Sequence, residues 1–362
     1  MNNIKLRKIE KINAGISELS MGCGHLSEDD ILAEATIKEA IRQGCNYFET
    51  ATFYCNNRCQ EKTALGIKGE ADGLVSVKAG VPPEVTGKEY REIIMKQFDV
   101  LQVTATDWLQ VGWLSLENFN IMLKNRDVLN EIYKMRDEGL FKYLGFTGHD
   151  TPENFIEIIK SKIFDCVTLP YHMLNRVYEP TIKVAGEEGM GVVAMNPVGG
   201  GLLGNVSDKL NGIIPSSAVT STAELALRFV LSNPNITSAC SGMNSPEMVE
   251  QNVKSVNKGP LSADEYEEML SVLDQYKTLG EKFCTGCRYC AECPQEIDIA
   301  GLFNLYNLYM VYGFTDTAKA SYDRIDEAKS PARCIKCGVC EDKCPNKIEI
   351  MKQIEKTVEI FA

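Results

Sequence analysis

CTGCRYCAECP (residues 284–294) and CIKCGVCEDKCP (334–345) decide how the end of this chain is built. Each stretch sets three cysteines two residues apart: Cys284, Cys287 and Cys290 in the first, Cys334, Cys337 and Cys340 in the second. A fourth follows just before a proline, Cys293 before Pro294 and Cys344 before Pro345. Three thiolates at that step can wrap one turning loop around three corners of a cube, and the proline carries the fourth away from it. The pattern predicts two [4Fe–4S] clusters. Structural zinc uses two CxxC pairs, and the third cysteine at the same step has no place in that scheme. A disulfide framework belongs to small secreted domains.

The two runs resemble the ligand runs of bacterial two-cluster ferredoxins, in which the fourth cysteine serves the other cluster. That implies one cluster on Cys284, Cys287, Cys290 and Cys344, and another on Cys334, Cys337, Cys340 and Cys293. The first residues, MNNIKLRKIEK, contain no apolar signal-peptide core, and no apolar run has the length of a membrane span. A reducing cytoplasm, in an anaerobe or a low-oxygen niche, is the expected setting.

With 362 residues, two domains are the expectation: a barrel over 1–278 and a small iron–sulfur domain over 279–362. The formal charge, 38 − 50 = −12, argues against nucleic acid and against an anionic membrane surface. A 44% apolar share is enough for a sizeable core.

Upstream of the cysteines, β-rich apolar runs alternate with amphipathic helical ones. A hairpin is expected first, over Ile4–Ile9 and Gly15–Leu19. Strands are expected at Leu19–Cys23, Tyr47–Ala51, Leu74–Ala79, Trp108–Leu114, Tyr143–Thr147, Cys166–Tyr171, Gly191–Asn196 and Ile236–Ser241. Helices lie between them, and another is expected at Ala263–Leu279. Eight such units over about 250 residues predict an α/β fold, a (β/α)8 TIM barrel. A doubly wound open sheet is the alternative, but no G-x-G-x-x-G follows the first strand. The glycine-rich GGGLLG (199–204) follows the seventh strand, where barrels commonly bind phosphate.

The stretches NYFETATFY (46–54), LVSVKAG (74–80), TDWLQVGWLS (106–115), YLGFTGHD (143–150), VVAMNPVGGG (192–201) and AELALRFVLSNPNITSACSGMNSPEMVEQN (223–252) resemble the aldo/keto reductases. With the tail, the whole chain resembles the subgroup carrying a C-terminal ferredoxin-like domain. The resemblance implies an oxidoreductase that reduces carbonyls with a nicotinamide cofactor bound across the barrel mouth. It places the catalytic tyrosine on Tyr54 and the lysine on Lys78. The aspartate falls on Glu49, one methylene longer, and the histidine on Ser115. A lysine ammonium beside a phenol lowers its pKa, so Tyr54 is expected to protonate an alkoxide. Cofactor contacts are implied at Thr147, Thr168, Pro197, Gly200, Gly242, Asn244, Gln251 and Asn252. Thr147–Gly148 stands where the family has Ser-Asn, Thr168 where it has Gln, Ser245 where a basic residue often meets a 2′-phosphate, and Gln251 where Glu is usual. Of three histidines, His25, His149 and His172, the resemblance favours His149 as a replacement for the missing imidazole. Cys23, Cys55 and Cys59 also fall near the mouth. A thiol role is open to the pair four apart, though a small buried hydrophobe is the simpler reading.

Three functions follow. One is an oxidoreductase acting on a small organic carbonyl, alcohol or activated C=C, with NAD(P)H, the clusters or both as electron carriers. A flavin as coupler and a ferredoxin or flavoprotein as redox partner are compatible with that reading, as is a homo-oligomer. The second is an electron-transfer protein with an altered barrel. The third is a barrel lyase or isomerase using Tyr54 and Lys78 as acid and base.

Overall fold

The computed structural model describes residues 4–70, 74–124, 126–204, 207–212, 219–280, 290–310, 312–344 and 348–361. Two compact units emerge: 1–201 with 223–261, and 202–222 with 262–362. The expected boundary at 278/279 lies within the helix Ala263–Gly280.

In the first unit an antiparallel hairpin, β1 (Leu6–Ile9) and β2 (Ala14–Ser17), precedes eight parallel strands. These are β3 (Leu19–Gly22), β4 (Phe48–Glu49), β5 (Val75–Gly80), β6 (Thr106–Gly112), β7 (Phe141–Thr147), β8 (Cys166–Pro170), β9 (Gly191–Met195) and β10 (Ser238–Ser241). They close into a barrel where β10 pairs with β3, Ala239 opposite Leu19. All eight lie where the sequence places strands. On β4 the ladder covers Phe48 and Glu49, and Thr50 next to them gives both its N–H and its hydroxyl to Ser76 O of β5, at 3.2 and 3.0 Å.

Helices form where a cap precedes an amphipathic run. The Asp29 carboxylate accepts from the Ile31 and Leu32 N–H groups, and Thr86 with Glu89 makes a reciprocal capping box. The helix Leu116–Lys124 is one the sequence reading did not anticipate.

The hairpin closes the N-terminal end of the barrel. Ile9 and Ile16 are buried with Tyr47, Trp108, Cys166, Val193 and Cys240. The Arg7 guanidinium bonds Glu18 (2.7 Å) and the carbonyls of Leu231 and Ile236 (2.8 Å each), just ahead of β10. Lys11 donates to Phe164 O, ahead of β8 (2.5 Å), and its backbone N–H to Gly189 O, ahead of β9 (2.9 Å). The opposite, C-terminal rim is thereby left to the loops that follow the strands, where barrels carry their chemistry.

The second unit is helical. Ile299–Met310, Thr315–Tyr322 and Ile350–Phe361 pack with Leu302, Phe303, Ile350 and Ile354 at the centre, among Cys290, Cys340 and Cys344. The segment after β9 joins this unit: Ser207 Oγ donates to Tyr312 O at 2.7 Å and Lys209 Nζ to Met310 O at 3.0 Å. Among the described residues no helix is long and apolar enough to cross a membrane.

Both tryptophans, Trp108 and Trp113, lie in the barrel unit, so their fluorescence reports its unfolding. Arg7→Met should cost the barrel about 2–4 kcal/mol, since part-buried carbonyls and Glu18 lose their donor. An unchanged denaturation midpoint would show that Arg7 does not fasten the hairpin.

Candidate active site

Glu49 ends β4 and Lys78 stands near the end of the adjacent β5. Lys78 Nζ lies 2.7 Å from Glu49 Oε1, with side-chain exposures of 3% and 6%, so neither charge has water to lean on. Lys78 Nζ also lies 5.4 Å from the ring centre of Tyr54. Burial is the largest single influence and works against the ammonium, but the Glu49 charge, the nearby Tyr54 and the hydrogen bond to Glu49 together hold the Lys78 pKa above its ordinary value. Tyr54 behaves differently from the expectation. Burial raises its pKa, and the Lys78 charge pulls it down without cancelling the rise. Tyr54 therefore keeps its proton at neutral pH.

Two residues that the sequence reading passed over hold the other side of Glu49. Tyr47 donates its hydroxyl to Glu49 Oε2 at 2.9 Å, and Gln110 Nε2 donates to the Tyr47 oxygen at 2.9 Å. Thr168 Oγ1 lies 3.5 Å from the same carboxylate oxygen. Behind Lys78, the Gln97 amide donates to its carbonyl at 3.0 Å, and Gln60 donates to Gln97 at 2.7 Å. Strand parity was the signal available: Tyr47 sits two residues before Glu49 and so shares its face, and Gln110 is a lone amide in an apolar run.

Ser115 is engaged elsewhere. Its Oγ accepts from the Asn118 N–H at 3.2 Å, at the start of the helix Leu116–Lys124. The residue that ends β6 beside Lys78 is Gly112, where a Cβ would lie 2.8 Å from Lys78 Cγ. Trp113 follows with φ 53° and packs on Phe53 (5.2 Å between ring centres), which packs on Tyr54 (4.9 Å). Phe53 is 50% and Trp113 43% exposed, so two aromatic rings stand open beside the phenol.

His149 is exposed after β7. Its neighbour Asp150 spends its carboxylate on the N–H groups of Leu116 (2.8 Å) and Thr151 (2.7 Å). His172 is pushed down to about 4 by burial, and its Nδ1 accepts from the Leu174 N–H at 3.3 Å. His25 packs over Gly242, where a Cβ would meet its Cδ2 at 2.5 Å.

Thr147 is buried at the end of β7 and Thr168 in the middle of β8. Gly148 has no room for an amide side chain, since a Cβ there would lie 2.3 Å from Leu114 O. Pro197 is buried and Gly200 exposed after β9. Gly199, Gly200 and Gly201 have φ of 61°, 65° and 95°, and a Cβ at Gly200 or Gly201 would meet nothing within 4 Å. After β10, Asn244 and Gln251 are exposed, Asn252 donates to Ser241 Oγ at 3.3 Å, and Ser245 caps the helix Pro246–Asn257. This open backbone fits the phosphates of a dinucleotide, whereas residue 148 offers its carboxamide no side chain.

In the second unit, Cys334, Cys337, Cys340 and Cys293 line one pocket, with Ile297, Ile299, Met351 and Ile354 among its other walls. Sulfurs spread around a largely apolar cavity fit a four-cornered cluster. Cys290 and Cys344 share the neighbouring core, and Cys284 and Cys287 lie outside the described residues.

A model of the aldo/keto reductase family matches residues 15–274, and a model of a 4Fe–4S dicluster domain matches 283–349. L-galactose dehydrogenase of Arabidopsis thaliana is 24% identical over 296 residues, covering 71% of this chain and 90% of that protein. The uncharacterized oxidoreductase YqkF of Bacillus subtilis is 24% identical over 300 residues, covering 74% and 96%. Among solved structures, the holo form of aldo-keto reductase AKR11C1 from Bacillus halodurans superposes with a TM-score of 0.64 at 22% identity, covering 74% of this chain and 96% of that one. An aldo-keto reductase from Klebsiella pneumoniae in complex with NADPH gives 0.61 at 19% identity, covering 76% and 95%. Barrel, strand-end ion pair and cysteine-lined second unit thus meet in one assignment: the chain belongs to the aldo/keto reductase family of oxidoreductases and carries a C-terminal 4Fe–4S dicluster domain.

Proposed function

We propose that this protein is an iron–sulfur oxidoreductase that acts on a small organic carbonyl, alcohol or activated C=C, with Tyr54 as the proton donor. The observation that carries this reading is the buried Lys78–Glu49 pair at 2.7 Å, with the ammonium 5.4 Å from the Tyr54 ring. Tyr54 hands its phenolic proton to the substrate oxygen, and the Lys78 charge stabilises the phenolate left behind. Glu49 keeps that ammonium in place, and Tyr47 with Gln110 keeps Glu49 in place. Phe53 and Trp113 offer flat apolar walls to the substrate. Glu49 serves as the family's aspartate, and no imidazole assists at Gly112 or Ser115.

A nicotinamide, when bound, would supply hydride; NADPH is the form held by the Klebsiella relative. Gly200 and Gly242, with the cap of the helix Pro246–Asn257, would face its phosphates. The clusters, when bound, would supply or accept single electrons, exchanged with a ferredoxin or flavoprotein partner. Their crossed cysteine ligation, the division into 1–278 and 279–362, and a cytoplasmic site of action belong to the same proposal.

Tyr54→Phe should leave folding intact and lower turnover about 10²–10⁴-fold. Unchanged turnover in a substrate assay would sink the reductase reading. In the unaltered protein, reductive turnover should stay level through neutral pH and fall on the alkaline side as Tyr54 ionises. Lys78, Glu49 and Cys240 are the charged or titratable groups that face it. Lys78→Met removes the charge that pulls the phenol pKa down, so the alkaline limb should move to higher pH while the plateau drops; a limb that stays put would separate Lys78 from Tyr54. Tyr47→Phe should cost turnover about 3–10-fold, the worth of one hydrogen bond.

Anaerobically purified protein should be brown, with about eight irons per chain. Cys293→Ala should cost the iron held by Cys334, Cys337 and Cys340 and spare the other cluster. Spectroscopy showing the reverse loss would refute the crossed ligation.

A further inference from the structure

The loop after β4 contains a conformation that side chains rarely adopt. Cys55, Asn56 and Asn57, directly after Tyr54, have φ of 50°, 54° and 67°. Asparagine tolerates the left-handed region, but three such residues in a row, one of them cysteine, are unusual outside glycine. Backbone held this way is costly, and it persists where the surroundings over-determine it.

Here the surroundings are sulfur. The turn brings the Cys55 thiol to Cys23 O at 3.2 Å, and the Cys59 thiol reaches the same oxygen at 3.4 Å. Two thiols that meet one carbonyl oxygen are neighbours. They differ in access. Cys59 is fully buried at the start of the helix Cys59–Ile67, whereas Cys55 is half-buried and open to solvent. The Cys59 hydrogen bond, against burial, lowers Cys55 to about 7, with Leu26 backbone and the Lys62 charge assisting, while Cys59 is raised by the same bond and by burial. An accessible thiol that ionises near neutrality beside a buried one that does not is the division of labour between an attacking and a resolving cysteine.

We propose that Cys55 and Cys59 form a thiol–disulfide exchange site beside Tyr54, with Cys55 attacking small-molecule disulfides and Cys59 resolving the product. The Cys55 thiolate attacks one sulfur of R–S–S–R, giving Cys55–S–S–R and releasing RS⁻. Cys59 then loses its proton, and its sulfur displaces the second RS⁻ from Cys55. Two electrons and two thiol protons leave the pair, and the added disulfide is reduced to two thiols. The left-handed run folds the chain back so that both sulfurs lie within 3.4 Å of the one Cys23 oxygen, and a disulfide asks for the Cα atoms to sit roughly 4.4–6.8 Å apart. The site stands on these contacts and not on the assignment of Tyr54 as proton donor.

The test uses the intact anaerobic holoprotein, oxidised glutathione as the probe, acid quenching and alkylation, and mass spectrometry of the tryptic digest. Trypsin cuts after Arg58, between the two cysteines, so the disulfide appears as peptide 43–58 joined to peptide 59–62, and fragmentation separates Cys55 from Cys45. That linked pair is the expected product in the unaltered protein. Cys59→Ser should instead accumulate the glutathione adduct at Cys55, and Cys55→Ser should leave Cys59 unmodified. Circular dichroism and iron content confirm that each variant is folded. A Cys55 that stays free, an adduct that persists at Cys55 in the unaltered protein, or modification of Cys59 in Cys55→Ser would overturn the proposal.

Discussion

An ion pair with almost no water around it is the constraint on which the barrel rim depends. Breaking such a pair from one side typically costs about 3–5 kcal/mol, because the surviving charge is stranded. Lys78 and Glu49 can coexist only if every neighbour respects them. Glu49 needs a second donor, and Tyr47 supplies it. Tyr47 needs its own donor, and Gln110 reaches across the interior to provide one. The stem of Lys78 needs clearance, and Gly112 gives it by having no side chain. The longer carboxylate at 49 is thus part of a chain of requirements running through three strands.

The same burial sets the character of the acid. A lysine next to a phenol suggests a phenolate, but a charge inside this wall is disfavoured more strongly than one ammonium can offset. The resting site is a neutral phenol next to a neutralised cation. Such a phenol keeps its proton at rest rather than holding negative charge in advance.

Much of this architecture was legible in the residues. Barrel strands announce themselves because they are buried on both faces and read as apolar runs. Helix starts follow from caps such as Asp29 and Ser245, and the cysteine spacing speaks for itself. Tyr54, Lys78 and Glu49, grouped by the resemblance, lie close together, with Lys78 Nζ 2.7 Å from Glu49 and 5.4 Å from the Tyr54 ring centre. What escaped depends on distances that spacing does not encode. Ser115 looks like a strand-end hydroxyl until β6 is seen to stop at Gly112, leaving the serine to cap a helix. Tyr47 reads as one more aromatic of a strand, although its hydroxyl has a fixed duty. The net pKa of Tyr54 is a balance of burial and charge, and sequence gives only the charge. The left-handed run at Cys55–Asn57 left a trace in its two asparagines, too faint to outweigh an ordinary helical turn.

The second unit is discontinuous along the chain, and synthesis on the ribosome has to reckon with that. Residues 202–222 are made early, yet Ser207 and Lys209 find their acceptors at Tyr312 and Met310, 105 and 101 positions later. Leu210, fully buried in the finished fold, belongs to the same segment. At about 5–20 residues per second, that stretch waits on the order of 5–20 s for its partners to emerge. During that interval the nascent barrel carries an unfinished loop between its seventh and eighth strands, so cotranslational folding cannot be completed strand by strand.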